Sequence, residues 1–127
     1  MNVDSSVDVA DRMFGAIAGG DYATVEATWA DDVLVWHSGD TEDNQRGRAL
    51  RVIRWFLDVT STRSYEVLDR QVFEGGFVQQ HILRAQGRNG ASIEMRVCLV
   101  AKVNERGLVS RIDEYFDPAV MAPLLEN

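Results

Sequence analysis

A single cysteine, Cys98, excludes an internal disulfide, and its side of the strand also carries Glu94, Arg96 and Lys102, so a reducing, cytoplasmic compartment is expected. No apolar run approaches the roughly 20 residues that a bilayer-spanning helix needs. The stretch Met1 to Asp11 has neither the basic region nor the hydrophobic run of a secretory signal. Positive charge is scarce: 13 Lys and Arg stand against 20 Asp and Glu, a net charge of −7. That balance argues against nucleic acid or an anionic membrane surface as partner, since both reward clustered positive charge. Repeats and low-complexity linkers are missing too. The 127 residues therefore predict one domain over 1–127, long enough to bury a sizeable core.

What is present concentrates between Gly75 and Pro118. Arg88-Asn89-Gly90 and Asn104-Glu105-Arg106-Gly107 are turn signals that divide this stretch into three long strands. Successive side chains in a strand point to opposite faces, so alternation assigns the inside. Ile93, Met95, Val97, Leu99, Ala101 and Val103 form an unbroken apolar row. The other two strands break theirs. Phe77, Leu83 and Ala85 share a face with Gln79 and His81, and Ile112 and Phe116 flank Glu114.

The first half of the chain reads as helical. Ser5 or Ser6 caps a helix with Val7, Ala10, Phe14 and Ile17 on one face, ended by Gly19-Gly20. Asp21 caps a short second helix through Trp29, and Val33 to His37 follows as a strand. Arg48 to Thr60 is a third helix with Leu50, Ile53 and Leu57 on one stripe. Its arginines, Arg48, Arg51 and Arg54, lie partly on the other side and read as a solvated face, with an anion site as the alternative. Tyr65 to Glu74 is a strand whose two faces compete for the inside, Tyr65-Val67-Asp69-Gln71-Phe73 against Leu68-Arg70-Val72.

An inward carboxylate must be paired, hydrogen-bonded or protonated, because burying it ionised and alone is prohibitively costly. Glu114 is therefore a candidate acid–base group, with His81 as its expected partner and His37, at a strand end, as a third catalytic candidate. Gln79 is the candidate that holds a substrate oxygen. Trp36, Trp55, Phe14, Met95 and Phe116 are candidate apolar walls of a substrate pocket. Two histidines on separate strands lack metal-ligand spacing, so no metal is implied.

The run Gln79-Gln80-His81-Ile82-Leu83, the long hairpin after it and the ending Arg111-Ile112-Asp113-Glu114-Tyr115-Phe116-Asp117-Pro118 resemble the nuclear transport factor 2-like superfamily, and within it the SnoaL-like polyketide cyclase and ketosteroid isomerase-like branch. The resemblance implies an α+β fold: a cone-shaped, strongly bent antiparallel sheet wrapped around about three helices and enclosing a hydrophobic pocket. It also implies chemistry without a cofactor. Gln79-x-His81 matches a pocket-lining pair of the cyclases, and Glu114 matches the last-strand acid of the superfamily's epoxide hydrolases, whose Arg-x-Asp companion is replaced here by Gln79-x-His81. Against the ketosteroid isomerases, Met13 or Phe14 stands for the helix-one tyrosine, His37 for the general-base aspartate and Leu99 for the oxyanion-hole aspartate.

These readings lead to a cofactor-independent isomerase- or cyclase-like enzyme acting through a His–Glu pair on a small hydrophobic polyketide-, terpenoid- or steroid-like molecule. A dehydratase, an epoxide hydrolase-like enzyme or a non-catalytic binding protein are the alternatives on the same scaffold. The outer strand faces mix Val78, Ile82, Cys98, Val100 and Tyr115 with Gln80, Arg84, Arg96 and Arg111, a composition that predicts a homodimer contact.

Overall fold

The computed structural model describes residues 3–126, with side chains from Ser5 onward. Helices α1 (Val3–Gly19) and α2 (Tyr22–Thr28) lead into β1 (Trp29–His37), a two-residue β2 (Asn44–Gln45) and α3 (Arg46–Val59). Four strands follow: β3 (Thr60–Phe73), β4 (Gly76–Gly87), β5 (Ser92–Val103) and β6 (Val109–Tyr115). The 3₁₀ segment Pro118–Leu125, which the sequence reading did not foresee, closes the chain.

The sheet runs β2-β1-β6-β5-β4-β3. It is curved and unclosed, and antiparallel except for one pair: β1 and β6 run parallel, with Val35 opposite Ile112 and His37 opposite Glu114. The two hairpins turn at the expected places. Gly90 and Gly107 take φ of +88° and +76°, a region that costs a Cβ-bearing residue but not glycine. All six alternating residues of β5, from Ile93 to Val103, are buried against the helices. Each large apolar side chain buried there contributes roughly 1.5–3 kcal/mol.

Several boundaries differ from the expectation. Helix α1 already includes Ser5 and Ser6, and Ser6 is fully buried, so neither caps it. Its inward stripe is Val9, Ala10, Met13, Phe14 and Ile17, whereas Val7 is exposed. Asp21 does cap α2, accepting from the Thr24 amide at 3.1 Å. Strand β3 starts directly after α3, five residues before Tyr65. Its competing faces are both real, because the register shifts between Val67 and Asp69. Before this bulge Arg63 and Tyr65 are the half-buried residues, and after it Arg70 and Val72 are. One extra residue, Leu68, thus changes the parity of the strand.

Candidate functional site

Cross-strand register sets which inward side chains can meet. One row runs Arg70, Gln79, Leu99, Glu114, His37 across β3, β4, β5, β6 and β1. Gln79 and Glu114 lie two strands apart with Leu99 between them, about 10 Å at the usual strand spacing. His81 is a further step along β4, opposite Val97. The expected His81–Glu114 pair therefore does not form. Alternation placed both on the same face, but face alone does not make neighbours.

Glu114 instead meets His37. The two are register partners in the parallel pair, and His37 Nε2 stands 3.6 Å from Glu114 Oε1. The other ring nitrogen, Nδ1, is 3.2 Å from Asp40 Oδ2, and the same oxygen accepts from the His37 amide at 2.9 Å and from Asn44 Nδ2 at 2.8 Å. With a carboxylate at Nδ1, that nitrogen carries the proton of a neutral ring and Nε2 presents its lone pair toward Glu114. Burial alone would raise the Asp40 pKa, but the bonds from the His37 amide, Asn44 and the His37 ring outweigh it and hold Asp40 below the ordinary carboxylate value.

The loop that carries Asp40 is itself fastened. Arg111 holds both oxygens of Asp43 at 2.9 and 3.0 Å while bonding Asp113 of its own strand. Ser38 ties the strand ends, its amide donating to the Glu114 carbonyl and its hydroxyl accepting from the Phe116 amide, each at 3.0 Å. Asp40 and Asn44 are site residues that sequence reasoning missed. The one signal was an acid three residues beyond His37, across a glycine-containing turn.

Glu114 and His37 open into a cavity of about 110 Å³ between α1, α3 and the sheet, which is room for an organic molecule where a single water needs about 10–15 Å³. Its walls are apolar apart from His37, Glu114 and Tyr65. Burial raises the Glu114 pKa, and the nearby His37 partly offsets this. Tyr65 is raised as well, by burial and then by the Glu114 charge. Its ring packs edge-on to Phe14 and His81, with centroids 5.1 and 4.8 Å away. Its hydroxyl has no hydrogen-bond partner among the described residues. The bulge in β3 is what hid Tyr65 from the sequence.

Of the expected wall residues, Phe14, Trp55, Met95 and Phe116 line the cavity. Trp36 does not. It lies on the outer face against Tyr115 at 5.1 Å, and its indole N–H donates to the Asp40 carbonyl, so it steadies the Asp40 turn from behind.

Gln79 and His81 are also outside the cavity lining. Gln79 is fully buried and His81 1% exposed, in a polar chain behind the wall. Asp11 binds Arg70 at 2.7 Å, Arg70 Nε donates to Gln79 Oε1 at 2.7 Å, and the Gln79 amide nitrogen faces His81 Nδ1 at 2.9 Å. Since Arg70 takes the Gln79 oxygen, the amide end donates to His81, and the ring proton sits on Nε2. That buried nitrogen has no hydrogen-bond partner. Burial, then the Arg70 charge, push the His81 pKa down to about 4, so the ring is neutral at physiological pH.

The bent sheet and its helices thus enclose an apolar cavity into which a few polar groups converge. A family model of the SnoaL-like domain matches residues 10–118. The chain belongs to the SnoaL-like family of the nuclear transport factor 2-like superfamily. Among curated proteins no sequence matches it. Among solved structures it is similar to PrhC from Penicillium brasilianum, with a TM-score of 0.82 and 16% identity over 97% of this chain and 87% of that one. An LEH-like epoxide hydrolase from Mycobacterium tuberculosis gives 0.79 and 17% over 97% and 90%. RV0760c from Mycobacterium tuberculosis, in complex with estradiol-17beta-hemisuccinate, gives 0.79 and 13% over 91% and 96%. At these identities the likeness is one of fold.

Proposed function

We propose that the protein is a cofactor-independent acid–base enzyme acting on a small hydrophobic molecule, with Glu114 as the proton-transferring group and His37 as its partner. One observation carries this reading: a carboxyl group with a raised pKa faces an apolar cavity while an imidazole, held from behind by Asp40, stands 3.6 Å away. A carboxyl whose pKa moves toward neutrality is a better general acid and base at working pH. Glu114 would take a proton from a carbon beside a substrate carbonyl and return it at a second position. With the ring proton on Nδ1, His37 Nε2 would accept from the protonated form of the carboxyl. Tyr65, with a free hydroxyl in the same cavity, would donate to the substrate oxygen.

Deuterium exchange tests this without knowledge of the natural substrate. The protein is incubated in heavy water with hydrophobic ketones such as α-tetralone and progesterone, and incorporation is read by mass spectrometry. The expected result is exchange above the buffer rate that falls roughly 10²- to 10⁴-fold in Glu114→Gln. Exchange that persists in Glu114→Gln would remove the acid–base role. No exchange above buffer with any ketone would favour the second reading, a non-catalytic binder, which the steroid-ester complex of the similarly folded RV0760c supports.

The homodimer belongs to the same proposal. On the outer sheet face Val78, Ile82, Cys98 and Val100 stay half-buried while Tyr115 is exposed, and such a mixed surface suits a subunit contact. A monomeric mass by light scattering at micromolar concentration would rule it out.

A further inference from the structure

The 3₁₀ segment Pro118–Leu125 packs against β5, and residues 119–126 lie beyond the segment 10–118 that the family model matches. One side chain of this tail, Met121, nevertheless lines the cavity. Three methionines contribute to that lining, and they are held differently. Met13 Sδ accepts from the Trp29 indole at 3.3 Å, and Met95 is 4% exposed on a strand paired with β4. Met121 is half-buried on a 3₁₀ segment, whose hydrogen bonds are poorer than those of an α-helix. A methionine side chain has three rotatable bonds and a polarisable sulfur, so it moulds to what it touches.

The tail that carries Met121 is seated at both ends. Asp117 caps it, accepting from the Ala119 amide at 3.0 Å, and Pro118 Cγ lies 3.7 Å from where a Cβ on Gly39 would stand, in the turn between His37 and Asp40. At the far end Asn89, in the β4–β5 turn, donates from Nδ2 to the Pro123 carbonyl at 3.0 Å and to the Glu126 carbonyl at 2.6 Å, while its Oδ1 accepts from the Ala91 amide. One side chain thus ties two points of the tail to the turn. Leu124 is buried beside it. At Gly87 an added Cβ would lie 2.5 Å from Asn89 Oδ1 and 3.0 Å from Leu124 Cδ2, so turn and tail meet with no room between them. Leu124 alone would serve a tail that only covers the core; Met121 reaches the ligand space as well.

We infer that the C-terminal tail limits which ligands the cavity accepts: Met121 is the wall residue that touches the apolar body of the ligand and sets its bulk, and Asn89 is the positioning residue that holds it there. This rests on reading the cavity as a ligand pocket, and it adds what selects among hydrophobic ligands.

Two uncharged dyes that brighten in apolar surroundings, N-phenylnaphthylamine and the bulkier Nile red, are titrated against the full-length protein and its variants, each checked for cooperative thermal unfolding. Met121→Ala should favour the bulkier dye, moving the ratio of the two dissociation constants about tenfold, the low end of what one methylene is worth in an apolar pocket. Met121→Trp should move the ratio the opposite way. Asn89→Ala, which leaves the cavity lining intact, should favour the bulkier dye too. The double variant Asn89→Ala/Met121→Ala should shift no further than Met121→Ala alone, as two residues acting through one contact do. Asn104→Ala, which removes the corresponding asparagine of the β5–β6 turn, should change neither dye. A ratio unmoved by both Met121 variants would overturn the selecting role while the pocket stands. A ratio unmoved by Asn89→Ala, moved as much by Asn104→Ala, or fully additive in the double variant would overturn the positioning role. If neither dye binds the unchanged protein, the pocket reading falls and this inference with it.

Discussion

Glu114 and His81 pull the stability of the protein in opposite directions with pH. Glu114 has a folded pKa above its unfolded one, so its contribution is present in acid and is lost as pH rises through the folded value. His81 has a folded pKa pushed down to about 4 from 6.5. Between those values the unfolded chain binds more protons than the folded one, so the His81 contribution grows as pH rises from about 4 to 6.5 and is lost as pH falls through that window. At about 1.4 kcal/mol per pH unit it amounts to no more than roughly 3 to 4 kcal/mol. The expected outcome in urea unfolding is a steep loss of stability over this window in the unchanged protein and a shallower one in His81→Leu. Equal slopes would mean that His81 is not the buried neutral ring described above. The same residue explains an error of sequence reasoning: an inward histidine reads equally as catalytic or as satisfied core. The Asp11–Arg70–Gln79 chain, formed by three elements, takes up its Nδ1 and holds it behind the cavity wall, away from Glu114.

At the scale of elements, β3 depends on its bulge. Because Leu68 is the extra residue, its deletion leaves Tyr65, Arg70 and Val72 facing inward and merely straightens the strand. Deleting Ser64 from the regular part forces a one-residue slip that turns neighbouring side chains to the wrong face. Thermal unfolding should find the Leu68 deletion folded and cooperative, lowered by a few degrees, and the Ser64 deletion severely destabilised. Comparable damage from both would contradict the register. The hairpins, the β5 apolar row and the α2 cap were legible because each is encoded by a few adjacent residues. The bulge was not, since an extra residue leaves two equally good alternations in the sequence. The start of α1 was missed because two serines that look like caps sit within a helix whose buried stripe begins at Ser6 and Val9.

For the whole molecule, the decisive feature is the return of β6 to lie parallel to β1, which no local pattern announces. The family resemblance gave the bent sheet and its helices, and alternation gave the inward Glu114, but the neighbour of Glu114 was set by pairing between segments some seventy-seven residues apart. That pairing replaces a His81–Glu114 pair with His37 standing between Asp40 and Glu114, and leaves Gln79 and His81 behind the wall. The comparison of ring-nitrogen NMR signals of the two histidines in the unchanged protein and in Glu114→Gln tests this most directly, with His37→Asn giving the assignment. The account predicts that the His37 signals shift, Nε2 most, while those of His81 stay in place with the proton on Nε2. Movement of the His81 signals with those of His37 unchanged would contradict it.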